Sequence, residues 1–370
     1  MSEQVTLAEV ARWAGVSLAT ASRALHGSAG RKVRPDLRAR VQAAAAELNY
    51  SPNANARAIV RGTTATVGLV VHDIADPSAA AVASGVMAAA SELDLIVTIG
   101  STLSDPLIEI RHVEALRRQR ARAIILAGSR FTDPDTAERL AEELLGFSVG
   151  GGHVAVIGQH RFPVNTVVVD NLGGARRLAR VLVSLGYRRF AVLAGPESLM
   201  TSEDRLTGFR LGLQECGLEL PAENTIGAQF SRDGGYVAMT ELLDREIQVQ
   251  AVFAVNDVMA VGATAALRDQ GHRVPRDMAV AGFDDIPTLR DIRPSLTTVR
   301  LPLVEMGRRA LQLALDGAAA VPGDETPQRI PALIEVAGEV VVRDSTPALV
   351  PPPDATVAGP RVRFPSCSGP

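Results

Sequence analysis

Residues 6–25 read TLAEVARWAGVSLATASRAL. Thr6 is a good N-cap, and Glu9 three residues later completes a capping box, in which each residue satisfies a backbone N–H of the other. Leu7, Val10, Ala11 and Ala14 follow at helical spacing, and Gly15 supplies the C-terminal stop. Ser17 caps a second short helix running from Leu18 to about Leu25. A third begins near Pro35-Asp36 and runs to Leu48, with Leu37, Val41, Ala44, Ala45 and Leu48 on its apolar face. Three short helices, with a tight glycine turn between the first two, describe a helix-turn-helix. Leu18, Ala19, Ser22 and Arg23 are not needed for its core, and arginines cluster around that helix and the loop after it.

Charge separates this head from the rest of the chain. Residues 1–62 carry nine basic and four acidic side chains, a net of +5, so the remaining residues hold −8 of the formal total of −3. A basic head on an acidic body predicts that the head meets a polyanion and the body does not. The 26–37 loop, HGSAGRKVRPDL, places Arg31, Lys32 and Arg34 where they could add phosphate contacts, or it is a solvated turn. Residues 49–62 are polar, begin near Pro52 and end at Gly62. A helix this short is marginal alone in water, so the segment reads as a hinge.

From Thr66 onward apolar strands alternate with amphipathic helices. Val67–Ile74, Leu95–Gly100, Ala123–Gly128 and Val154–Gly158 read as strands, separated by helices over 79–92, 105–119 and 134–146. The pattern restarts with Thr166–Asp170, Arg189–Gly195, Thr225–Phe230, Ala251–Asn256 and Met278–Phe283, with helices over 172–185, 204–217, 233–246 and 257–270. Such alternation predicts two doubly wound parallel sheets, with ligands at the carboxyl ends of the strands and a cleft between lobes. Residues 347–370, rich in Pro, Gly and Ser, are expected to be a disordered tail. A chain of 370 residues with 46% hydrophobic content has ample material for such cores. Its two cysteines lack metal-ligand spacing, no apolar run reaches membrane-spanning length, and the N-terminus has no signal-peptide pattern. The expectation is a soluble cytoplasmic protein that does not bind membranes.

Several strings in combination resemble the lactose-repressor/galactose-repressor (LacI/GalR) family of bacterial transcription regulators. They are the opening stretch, LNYSPNANARAI (48–59), VGLVVHDIADP (67–77), VVVDNLGGARRLA (167–179), DRLTGF (204–209), FAVNDVMAVGA (253–263), GFDDI (282–286), LTTVRLP (296–302) and VVVRDST (340–346). The likeness covers residues 5–346. It implies an all-α helix-turn-helix head at 1–48, a hinge at 49–62 and a two-lobed periplasmic-binding-protein-like α/β body at 63–346. The N-lobe would take about 63–162 and 293–325 and the C-lobe about 163–292 and 326–346, the chain crossing near 162, 292 and 326. It further implies a homodimer on palindromic operator DNA, switched by a small-molecule, sugar-like effector in the cleft, with no cofactor and no metal. Repressor is the commoner case; an activator or corepressor-dependent regulator has the same fold.

On the head, the resemblance points to Leu18, Ala19 and Arg23 as base-facing residues of the second helix. Arg23 suits a bidentate pair with guanine, the alternative being a phosphate contact; Leu18 and Ala19 can only touch thymine methyls or leave room. Thr20, Asn49 and Tyr50 match backbone-contacting positions. Ile59 stands where the family inserts an apolar wedge, usually Leu, into the minor groove.

In the cleft, Arg205 matches an arginine that clamps sugar hydroxyls or a carboxylate, Asn256 and Asp284 match polar positions at strand ends, and Phe230 matches a stacking platform, with Ser78 and Thr201 beside them. Asp257 and Asp285 are expected to be structural partners within their pairs. One departure matters: the family commonly has an Asn-Pro-Phe-Phe-like run after the first strand, whereas this chain has Asp76-Pro77-Ser78-Ala79-Ala80. The N-lobe wall should therefore be roomier, for a larger or more polar ligand. A solute-binding protein is the first rival, opposed by the basic head. An enzyme is the second, but no catalytic triad order, metal spacing or phosphate loop stands out. His72, His112, His153 and His160 read as ordinary surface or loop histidines.

Overall fold

The computed structural model describes residues 5–26, 33–50, 63–316 and 331–349, which form two compact units divided after Thr64. The expected wedge Ile59, the basic loop residues Arg31 and Lys32, and nearly all of the hinge and tail lie outside the described residues.

In the first unit, helices α1 (Leu7–Trp13), α2 (Leu18–His26) and α3 (Pro35–Glu47) enclose a small core of Val10, Ala11, Ala14, Ala21, Ala24, Val41 and Ala44. The capping box forms as the sequence dictates: the Glu9 amide donates to Thr6 Oγ1, and the Thr6 amide donates to the Glu9 carboxylate at 2.7 Å. Gly15 adopts φ +60°, a left-handed conformation that a side chain would strain. Arg40 of α3 donates to the Ala14 carbonyl at 2.6 Å, tying the turn to the third helix.

The second unit holds two parallel sheets. The first has β1 (Thr66–Val71), β2 (Ile96–Ser101), β3 (Ala123–Ala127), β4 (His153–Gly158), β5 (Asn165–Val169) and, late in the chain, β11 (Leu333–Val336), in spatial order β11-β5-β4-β3-β1-β2. Helices α4 (Pro77–Ser91), α5 (Pro106–Arg118) and α6 (Pro134–Val149) connect its strands. Both faces are covered, so alternate residues serve different cores. Ile125 and Ala127 join a core that continues into the other lobe, while Ile124 and Leu126 pack with Ile110, Val113 and Leu144.

The second sheet is β7-β6-β8-β9, built from β6 (Phe190–Ala194), β7 (Thr225–Gly227), β8 (Ala251–Ala254) and β9 (Ala279–Ala281). Its helices are α7 (Asn171–Ser184), α8 (Met200–Gln214), α9 (Arg232–Asp244) and α10 (Asp257–Asp269). A short antiparallel pair, β10 (Thr298–Arg300) with β12 (Glu339–Val341), runs between the lobes' later segments. Helix α11 (Leu303–Asp316) returns to the first lobe against α4. There Gly85 and Gly307 bring the backbones together: a Cβ on Gly307 would lie 2.1 Å from the Val82 carbonyl oxygen.

The lobe boundaries need correction. Strand β5, placed in the C-lobe from the sequence, pairs with β4 and belongs to the first sheet, as does β11. The chain therefore crosses at about 170 rather than 162, near 301 rather than 292, and after 336 rather than near 326. Parallel neighbours normally need a helical crossover between them. Here residues 159–164 alone make the return, so the helix that would have assigned β5 to its lobe is missing from the pattern. The tail also begins later than expected: the Leu349 amide donates to the Leu185 carbonyl at 2.7 Å, and Tyr187 Oη donates to the Pro347 carbonyl at 2.8 Å.

Candidate functional site

Two places were singled out by sequence, one in each unit. On the head, Leu18 and Ala19 are exposed on the first turn of α2, with Ala21 and Ala24 turned into the core. Thr20 shares a 2.8 Å hydroxyl–hydroxyl bond with Ser17, which fixes the start of the helix. Arg23 is half-buried and folds back, its Nε donating to the Ala19 carbonyl at 2.9 Å. Asn49 ends α3 at φ +49° with its side chain exposed, and Tyr50 packs against the head core. The helix thus presents its N-terminal face free of core duties.

In the body, a cavity of about 440 Å³ opens between the lobes at the carboxyl ends of their strands. Of the six residues expected there, Ser78, Thr201, Arg205, Phe230 and Asp284 line it. Asn256 does not. It is 1% exposed, and its Oδ1 accepts the Met259 amide at 2.9 Å, so it caps α10 while its Nδ2 has no partner among the described residues. Helix starts favour Asn for that geometry, and here the cap governs the side chain's direction.

Arg205, near the start of α8, is held from three sides. Its Nε donates to Asn171 Oδ1 at 2.9 Å, Nη1 to the Val255 carbonyl at 2.8 Å, and Nη2 to Asp284 Oδ1 at 2.8 Å. Its guanidinium lies 3.8 Å from the centroid of the Phe283 ring. Asp284 adopts φ +120° and Asp285 φ +58°, strained backbone for non-glycine residues, of the kind that clusters at binding sites. Burial pushes the Asp284 carboxyl up to about 6, with the Arg205 guanidinium pulling the other way.

Asp257 is fully buried, accepting the Thr298 hydroxyl at 2.6 Å and the Ile286 amide at 2.9 Å; burial, then Asp284 nearby, pushes it up to about 8. Burial also works against the charge of Asp285, but hydrogen bonds from Arg300 at 2.7 Å and Arg343 at 2.6 Å hold it below the ordinary range. Both second aspartates are structural, as expected from the sequence.

Other cavity residues were not foreseen as site residues. Asn171 and Asp233 sit at helix starts in the C-lobe, and Asp76 caps α4 through the Ser78 amide at 2.9 Å. His72 corrects its reading as an ordinary surface or loop histidine. It lines the cavity, its ring lies 5.6 Å from that of Phe131, and Nε2 has no partner among the described residues. Burial, reinforced by Arg130, lowers its pKa to about 4. The one available signal was position: each of these residues lies in the loop or first helical turn that follows the carboxyl end of a strand in a doubly wound sheet.

Thr201 is engaged at the lobe boundary. Its amide donates to Ser129 Oγ at 3.0 Å, and its hydroxyl accepts Gln159 Nε2 at 3.0 Å. Gln159 also reaches Asp204 and accepts the Arg130 amide, and Phe131 pairs with Leu199 as an antiparallel bridge.

Two family descriptions match the chain: bacterial regulatory proteins of the lacI family over residues 6–53, and a periplasmic binding protein-like domain over 179–346. The chain is 39% identical to the HTH-type transcriptional regulator GalS of Salmonella typhimurium over 85% of its length and 90% of that protein. It resembles the structure of a transcriptional regulator CelR–cellobiose complex at 32% identity and TM-score 0.66, covering 92% of this chain and all of that one. Against the lac repressor dimer bound to operator and the anti-inducer ONPF, identity is 25% and the TM-score 0.78, over 94% of this chain and all of that one.

Proposed function

This chain belongs to the lacI family of bacterial transcriptional regulators, which are not enzymes, and from that premise we propose that it is a repressor whose operator binding is switched by a sugar-like effector in the interlobe cavity. The observation that carries the proposal is the union, in one chain, of a helix-turn-helix with a free recognition face and a two-lobed body whose cavity converges on Arg205 and Asp284. Leu18, Ala19 and Arg23 read the major groove, and Thr20, Asn49 and Tyr50 position the head on the phosphates. Ile59 is the minor-groove wedge. A regulator of this design works in the compartment that holds the chromosome, the bacterial cytoplasm.

The working unit is a homodimer, because two heads are needed for half-sites one helical turn apart. An exposed apolar edge supports this. Strand β2 ends the first sheet with Ile96 69% exposed, and Met87, Leu93 and Leu103 stand exposed close to it in sequence, an unpaired edge that a second copy would cover.

Within the cavity, Arg205 retains N–H donors beyond those bonded to the protein, and Asp284 and Asn171 offer acceptors, a set suited to several hydroxyls at once. Phe230 gives an apolar face, and Ser78 and Ala79 leave space on the opposite wall. The test is a footprint on DNA around the protein's own gene at two salt concentrations. A protected palindrome of about 15–20 base pairs is expected, and diffuse protection that vanishes as salt rises would count against sequence-specific reading.

A further inference from the structure

Electrostatic pairing within the cavity is incomplete on one side. Arg205 is paired with Asp284 at 2.8 Å, and Arg232 with its neighbour Asp233 at 2.9 Å. Asp73 and Asp76, both in the N-lobe wall, form no ion pair among the described residues: Asp73 accepts the Ala75 amide, and Asp76 accepts the Ser78 amide and side chain, while the nearby Arg205 that favours its charge is already paired with Asp284. Asp76 is half-buried, and burial raises its pKa although it sits at a helix N-terminus that favours its charge.

The histidine in the same wall adds a second acceptor. Burial, then the Arg130 cation beside it, keeps the His72 ring neutral, with Glu109 and a bond to the Ser129 backbone working the other way. Nε2 has no partner among the described residues, and in the tautomer that carries its hydrogen on Nδ1 it presents a lone pair. This wall therefore offers carboxylate oxygens and an imidazole lone pair, and its surplus charge is negative. An ammonium is the complementary group, with donors only and a positive charge. A phosphate or carboxylate would meet like charge here, at a cost that grows as water is excluded.

We infer that the effector is an amine-bearing sugar or polyol, its ammonium seated against Asp76 and His72 and its hydroxyls directed to Arg205 and Asp284. This rests on the cavity being the effector site. It assigns the N-lobe wall, where Asp76-Pro77-Ser78-Ala79 stands, a role in selecting ligand charge.

The test is calorimetric and thermal-shift titration of the full-length protein with hexosamines and, for each, the neutral parent sugar, the N-acetyl derivative and the 6-phosphate. At least one hexosamine should bind about tenfold or more tightly than its neutral parent, the scale of one charge-assisted hydrogen bond. Asp76→Asn should cut the amine's affinity about tenfold or more and the neutral parent's by less, so that the preference for the amine disappears. Asparagine also caps helices, so the variant keeps the α4 N-terminus. Neutral, N-acetyl or phosphorylated sugars binding as well as the amine, or an amine preference untouched by Asp76→Asn, would overturn the assignment. If neutral sugars alone bind and change the operator footprint, the effector reading stands and the amine fails. If nothing in the panel binds at about 10 mM, where even millimolar affinity registers, the amine assignment is rejected, and the operator footprint tests the regulator reading by itself.

Discussion

Arg205 commits three N–H donors to the protein, to Asn171, Val255 and Asp284, before any ligand arrives. It is therefore both a prospective ligand clamp and a structural pin. Arg205→Ala would leave Asp284 buried and unpaired, and removal of one partner from such a pair typically costs about 3–5 kcal/mol. Urea unfolding of the variant should show that loss, whereas a change below about 1 kcal/mol would mean the carboxyl escapes by protonation or by water entry. At His72 the sign follows from a lowered pKa: the unfolded chain takes up a proton near the ordinary value of 6.5, and the folded body only near 4. Stability from this residue is thus complete above about pH 6.5 and is lost as pH falls toward 4, by up to about 3 kcal/mol. Denaturation at pH 7 and pH 4.5 should show a smaller difference for His72→Gln than for the parent protein.

Elements differ in how plainly their residues announce them. Thr6 with Glu9 started α1 as expected, and the apolar runs Val67–Ile74 and Ala123–Gly128 became central strands buried on both faces, because capping and short continuous apolar runs are local or nearly local signals. Strand β5 was legible as a strand but not as a member of the first sheet, since its partner β4 is joined to it without a helix. The contact between α4 and α11 was not legible at all: the glycines of two distant segments meet there. Gly307→Ala should destabilise the body by about 2 kcal/mol, because overpacking outweighs alanine's better helix propensity. A thermal melt at or above that of the parent would show that the helices separate without penalty.

At the scale of the whole body, the cavity exists only because segments from opposite lobes are held at its rim. Thr132 and Met200 amides bond across the boundary to Ser198 and Arg130 carbonyls, each at 3.0 Å, with Gln159 spanning the same join. Gln159→Ala removes three hydrogen bonds there, including the acceptor for the Arg130 amide. Amide exchange at Thr132 and Met200 should accelerate about tenfold or more, equivalent to roughly 1.4 kcal/mol of lost protection. Unchanged exchange would place the restraint on lobe opening elsewhere, in the three crossing strands. A ligand that bridges Asp76 and Arg205 would strengthen the same closure, and a regulator of this design can couple that to its head only if the two lobe arrangements differ in free energy when the ligand binds.

What the amino-acid sequence determined by itself is whatever depends on near neighbours along the chain: the caps and glycine turn of the head, its positive charge, and the alternation of strands with helices; Arg205, Phe230 and Asp284 were placed in the cleft by the family resemblance. What only the tertiary structure decided depends on which distant segments meet. It turned Asn256 into a helix cap instead of a cavity residue, enclosed His72 beside Arg130, and joined Thr201 to Gln159 across the lobes. The reason is physical. Hydrogen-bond caps and hydrophobic periodicity act within a few residues, whereas burial and ion pairing are set by partners far away along the chain, and a side chain's chemistry follows from those partners.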